Sequence, residues 1–244
     1  MNSELNVYQR VWFQRVFEPF VRDNSEKNIS YPFYLGVSEK YINSKRRIMI
    51  VGQETRGFTS FKPDWSIEET QRWAIDYVDY QLHYSNDQEL KDKFKRRNSS
   101  TFWSFFKLFS KADIVPSWNN IDKAQRYVGG ETMSLTEDIE RKLNCILPDS
   151  NKTLFQIEVE ITKPNAVVFI TGPRYTVTME AAMNLKEGIL EEAGLSLQNG
   201  CVDITEISGF GLPVFWTYHP RYISNSRNPL NCNEIFEKII GQIA

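Results

Sequence analysis

Three short runs carry side chains suited to acid–base chemistry: Gly52-Gln53-Glu54, Gly172-Pro173-Arg174 and Tyr218-His219-Pro220. A carboxylate such as Glu54 can orient and deprotonate water, and an imidazole such as His219 exchanges a proton near neutral pH. The Gln53 amide offers both a donor and an acceptor. Each run follows an apolar or aromatic segment, IMIV at 48–51, NAVVFIT at 165–171 and LPVFWT at 212–217. Such segments read as buried strands, and in open α/β sheets ligands bind beyond the carboxyl ends of the strands. If these strands are neighbours, an amide, a carboxylate and an imidazole share one pocket.

Positioning them requires a sheet and its cover. Residues Ile48–Val51 are too few and too uniformly apolar for an amphipathic helix, and fit a strand covered on both faces. Helical spacing of apolar residues recurs over Val7–Val21, Ser66–Tyr84 and Phe102–Ala112. Ser134 followed by Glu137 is a capping signature, and the helical region should continue through Thr153–Ile161 to Pro164. A further helix is predicted over Thr176–Ala193, stopping before Gly194, and a last one over Asn233–Ile243. Cys201–Ile207 alternates like a partly exposed strand. Strands alternating with helices imply a three-layer α/β sandwich with a mostly parallel central sheet. A chain of 244 residues with 41% hydrophobic content supports one sizeable core, so a single domain over 1–244 is expected, with an N-terminal helical extension at about 1–40.

Composition narrows the function classes. The 29 basic and 31 acidic residues nearly cancel, which removes a global pull toward nucleic acid or an anionic membrane and leaves only local patches. No apolar stretch approaches the roughly 18 residues needed to span a bilayer, and the start MNSELNVYQR has no secretory pattern, so a cytoplasmic protein without a membrane partner is expected. Cys145, Cys201 and Cys232 are far apart and in no C-x-x-C, which argues against a disulfide framework or a cysteine zinc site. GQETRG matches neither dinucleotide nor P-loop fingerprints, and no G-x-S-x-G occurs. No cofactor and no metal is expected.

Each chemical candidate has a structural competitor. Glu54 can serve as a cap or pair with Arg56, and His219 can be a satisfied structural histidine. Asn119-Asn120 is a common turn pair. Phe102, Trp103, Phe105, Phe106 and Phe109 sit at helical spacings, which assigns them to a core. The basic run Lys91–Arg97 is a solvated segment, or alternatively a clamp on phosphates.

The order of these motifs resembles the uracil-DNA glycosylase superfamily. In that family the first catalytic motif follows the first core strand as G-Q-D-P-Y or G-E-A-P-G, to which VGQET at 51–55 is similar, with Glu54 in the acidic position. A second motif built on H-P-S lies near the end, and TYHPRYIS at 217–224 resembles it. Between them ITKPNAVVFITG at 161–172 is like the strand of the family that ends in glycine. Thr55 and Arg221 depart from the family's proline and serine.

The resemblance implies a cofactor-free, metal-free hydrolase of DNA repair that cleaves an N-glycosidic bond in DNA or other nucleic acid. Glu54 would stabilise the sugar cation and direct water, and His219 would donate to the departing base. Asn120, or its neighbour Asn119, would read the base edge together with Gln53. Phe58 or Phe61 would stack on the flipped base, Arg221 would hold a phosphate, and Tyr222 or Ile223 would fill the vacated stack. A monomer is expected. The other class compatible with the departures is a catalytically silent module that binds a nucleotide or nucleic acid on the same fold.

Overall fold

The computed structural model describes residues 1–23, 29–53, 66–84, 88–94, 100–128, 131–195, 200–224 and 231–243. Glu54, Phe58 and Phe61 lie outside the described residues, as does Arg56.

The chain opens with α1 (Asn2–Trp12), which continues through a π turn at Phe13–Phe17 into α2 (Glu18–Asp23). The expected helix over Val7–Val21 is thus present and longer. Its apolar stripe buries Leu5, Trp12 and Phe17 in the main core, and Trp12 donates through Nε1 to the carbonyl of Leu143 at 2.7 Å. Burying a side chain of that size contributes on the order of 2–3 kcal/mol. After α3 (Glu39–Asn43), β1 (Arg47–Gly52) forms an interior strand of the sheet, with Ile48 to Val51 fully buried. Then come α4 (Ile67–Gln81), α5 (Gln88–Phe94) and α6 (Thr101–Lys111). A capping box fixes the start of α4: Ser66 Oγ accepts from the Glu69 N–H at 3.1 Å, and Glu69 reaches back to the Ser66 N–H at 3.1 Å.

Strand β2 (Val115–Asn120) overturns the reading of Asn119-Asn120 as a turn, since both are buried at a strand's end. Pro116 and the polar residues around it conceal the strand in sequence. Proline is tolerated there because β2 is an edge strand. A small antiparallel pair, β3 (Arg126–Val128) and β4 (Glu131–Met133), follows.

Two helix boundaries differ from expectation. The helix α7 (Glu137–Leu143) starts from Thr136, not Ser134, and makes no side-chain cap. It is also not continuous with α8 (Leu154–Thr162). Pro148 cannot extend a helix, and Asp149 and Asn151 turn the chain at φ 67° and 55°. Thr153 then starts α8 with its own capping box to Gln156.

Past β5 (Ala166–Phe169), the single helix expected over Thr176–Ala193 is two, α9 (Thr176–Ala182) and α10 (Ile189–Glu192). Asn184 and Gly188 adopt positive φ of 56° and 82°, breaking the spiral. The Glu180 carboxylate accepts from the N–H groups of Gly188 and Leu190 at 3.0 and 2.9 Å, satisfying the new helix start. The chain ends with β6 (Cys201–Asp203), α11 (Thr205–Ser208), β7 (Val214–Thr217), α12 (Pro220–Ile223) and α13 (Cys232–Ile240).

The sheet runs β2-β1-β5-β7-β6, parallel except for the antiparallel edge strand β6. Helices lie around this five-strand sheet, an α/β arrangement compatible with a three-layer sandwich. No helix among the described residues is long and apolar enough to cross a membrane. The ends of β1, β5 and β7 are neighbours, as the clustering of the three polar runs requires.

Candidate functional site

The β1–β2 ladder continues past the strands, with the Gly52 carbonyl accepting from the Ile121 N–H and the Gln53 carbonyl from the Asp122 N–H, both at 3.0 Å. Gln53 does not simply project outward. Its Nε2 donates to the Thr171 carbonyl at 2.6 Å, so the amide bridges the ends of β1 and β5.

Asn120, in register with Gly52, closes β2. Its Oδ1 accepts from Trp118 Nε1 at 2.9 Å, while its Nδ2 is buried and has no partner among the described residues. An indole N–H can only donate, so this contact also fixes which end of the amide is oxygen. Gly52 is where it is because a Cβ there would come within 2.7 Å of Asn120 Oδ1 and 3.3 Å of the Phe102 ring.

Phe102, in the first turn of α6, lies against Gly52, as Asn120 does, and also against the imidazole. Its ring lies nearly parallel to that of His219, with centroids 5.8 Å apart and planes at 20°. Helical spacing alone put Phe102 with the core, and Trp103, Phe105, Phe106 and Phe109 are indeed buried there. Phe102 is only partly buried, at the edge of that stripe.

His219 follows β7 and caps α12. Its Nδ1 accepts the Arg221 N–H at 3.1 Å, which in the neutral ring places the proton on Nε2. Arg221 is exposed, and Tyr222, 46% exposed, stacks on Tyr218 at 5.0 Å. The structure therefore sets His219 on the Phe102 ring and holds both that ring and the Asn120 oxygen close to Gly52, puts Gln53 across the adjoining strand ends, and leaves Arg221 and Tyr222 on the surface beyond.

Two buried polar groups beside these strand ends gave no sequence signal. On the α8 face of β2, Asn119 Nδ2 donates to Glu158 Oε2 at 2.9 Å, and its Oδ1 accepts from Lys123 Nζ at 2.6 Å and from the Asn120 N–H at 2.9 Å. Lys123 pairs with Glu158 at 2.8 Å, and Gln9 Nε2 adds a bond to Glu158 Oε1 at 3.1 Å. Burial pulls the Lys123 ammonium down from its usual value, and Glu158 opposes that pull. The second group joins Asp122 to Glu140 of α7, which also accepts from Thr178 Oγ1. Burial raises the Glu140 carboxyl, while the bonds from Thr178 and Asp122 and the charge of Arg174 hold it back.

Among the described residues no three His, Cys, Asp or Glu side chains gather in a metal-binding group. One groove of 660 Å³ lies elsewhere, between α1 and α8, where Lys152 and Glu160 already pair at 2.7 Å. No protein-family model matches the chain, and no curated protein matches it.

Proposed function

We propose that the protein hydrolyses the N-glycosidic bond of uracil or another aberrant base in DNA or a related nucleic acid, as a divergent glycosylase without cofactor. The observation that carries this reading is the Asn120 amide: buried, with an unpartnered Nδ2, at a strand end whose Gly52 neighbour also meets the Phe102 ring that stacks on His219. A buried donor without an acceptor costs about 1–3 kcal/mol, and a base edge would supply the acceptor. Phe102 offers such a base a π-face, and His219 Nε2–H donates where negative charge develops on the departing ring. Glu54, two residues beyond Gly52 in sequence, supplies the carboxylate for water and the sugar cation. Arg221 and Tyr222, exposed just past His219, meet the phosphate and the gap in the base stack.

The test is base release from single- and double-stranded oligonucleotides carrying uracil, hypoxanthine, xanthine or mismatched thymine. Glu54→Gln and His219→Ala should each slow release by at least about a hundredfold while the protein stays folded. Normal excision by both variants sinks the assignment. The amide and the stacking ring suit a silent base-binding module equally well, and binding without release on every substrate would favour it.

A further inference from the structure

We infer that Trp118 is the residue that sets base selectivity, by locking the Asn120 amide so that only its NH₂ end faces a ligand; this rests on the base-binding reading above. An asparagine free to rotate by half a turn about its last torsion can present either oxygen or nitrogen, so it reads acceptor and donor edges alike. Here the rotation is blocked. Trp118 and Asn120 are two residues apart on β2, hence on one face of the sheet, and the indole N–H holds Asn120 Oδ1 at 2.9 Å. Turning the amide would set Nδ2 against that N–H, donor against donor.

The indole is itself held in place. Its ring centroid lies 4.8 Å from Phe33, 5.6 Å from Trp103 and 6.1 Å from Phe102. At the backbone, the Asn120 N–H is fixed to Asn119 Oδ1. With Oδ1 engaged, the group left for a ligand is Nδ2, buried and unpartnered. The matching edge must place a carbonyl or ring nitrogen acceptor against it. An exocyclic amino group at that position, as in cytosine, meets another donor and is rejected.

Trp118→Phe removes the N–H and keeps a ring in the slot, so it isolates the lock from the packing. The probes are two single-stranded oligonucleotides identical except for one deoxyuridine or one deoxycytidine, with binding measured for four proteins: wild type, Trp118→Phe, Asn120→Ala and the double variant. The wild type should prefer deoxyuridine by at least about tenfold. Trp118→Phe should narrow that ratio to about threefold or less, and in the Asn120→Ala background it should change the ratio no further. A merely structural tryptophan would alter binding equally in both backgrounds, which overturns the inference. Preference retained in Trp118→Phe overturns it as well, with base reading intact. Wild type that binds neither probe removes the base-binding reading, and the inference with it.

A second measurement needs no variant. On adding the deoxyuridine probe to ¹⁵N-labelled wild type, the Asn120 NH₂ resonances should shift while the Trp118 indole N–H stays protected from exchange. An indole N–H that exchanges like a free one shows that no lock exists.

Discussion

Asn119 and Asn120 are consecutive residues of one strand, both buried, and the pleat sends them to opposite faces of the sheet. Asn119 is saturated: two donors converge on its oxygen, and its nitrogen meets a carboxylate. Asn120 has its oxygen held and its nitrogen left over. The same side chain, in the same strand, is in one place part of what holds the fold together and in the other a group kept open at the fold's expense. Unsatisfied buried donors are rare because each costs about 1–3 kcal/mol. Packing Asn120 more fully was open to this sequence, as its neighbour shows, which directs the functional reading to the α6 face of β2.

The sharpest way to break this contrast is to attack the saturated side. Lys123→Met leaves the Glu158 carboxylate buried without its counter-ion, and should destabilise the protein by about 3–5 kcal/mol. Urea unfolding measures it. A cost below about 1 kcal/mol would mean that the pair is hydrated and that the two faces of β2 are less different than their hydrogen bonds suggest.

The contrast is sharpened by truncating each asparagine in turn. Asn119→Ala strips bonds from an ammonium and a carboxylate at once, an expected loss of about 2–3 kcal/mol. Asn120→Ala removes an orphan donor together with the acceptor of one indole N–H, so these nearly offset and the loss should stay within about 1 kcal/mol. Base selectivity should follow the opposite order, the deoxyuridine preference surviving Asn119→Ala in the fraction that folds and being lost in Asn120→Ala. Equal stability losses would dissolve the distinction.

How much of this the sequence discloses depends on the kind of signal. Strands β1, β5 and β7 are short apolar runs ending in glycine or a polar turn, and periodicity finds them. Strand β2 is interrupted by Pro116, Ser117, Asn119 and Asn120, so only the resemblance to a known family pointed to an asparagine there. Phe102 shares its spacing with Phe105, Phe106 and Phe109, and a period identifies the stripe but not which member lies at its edge. Thr176–Ala193 reads as one helix because the break comes from a left-handed Asn184 and from Glu180 capping a second start, both tertiary facts. Asp122 and Glu140 are 18 residues apart, and nothing in either one's surroundings announces that α7 will bring them together.

That last pair extends the comparison to a third buried polar residue and gives the smallest expected effect. Asp122, two positions past Asn120, faces another carboxyl, that of Glu140, and two carboxyls can share a hydrogen bond only where one of them keeps a proton. Burial raises the Glu140 carboxyl above its usual value, so the folded protein keeps a proton that the unfolded chain has already released. For an acid raised in this way, the stabilisation is complete below the unfolded value and is lost as pH climbs through the folded one. Glu140→Gln preserves the shape and an N–H for hydrogen bonding, with nothing to titrate. The stability of the wild type relative to Glu140→Gln should therefore decline as pH rises above the ordinary carboxylate range, read as the difference in Tm at each pH. A difference that stays flat would show the carboxyl pair to be ionised like any surface acid. Asp122 would then be held by something other than a shared proton, and the contrast at this strand end would rest on Asn119 and Asn120 alone.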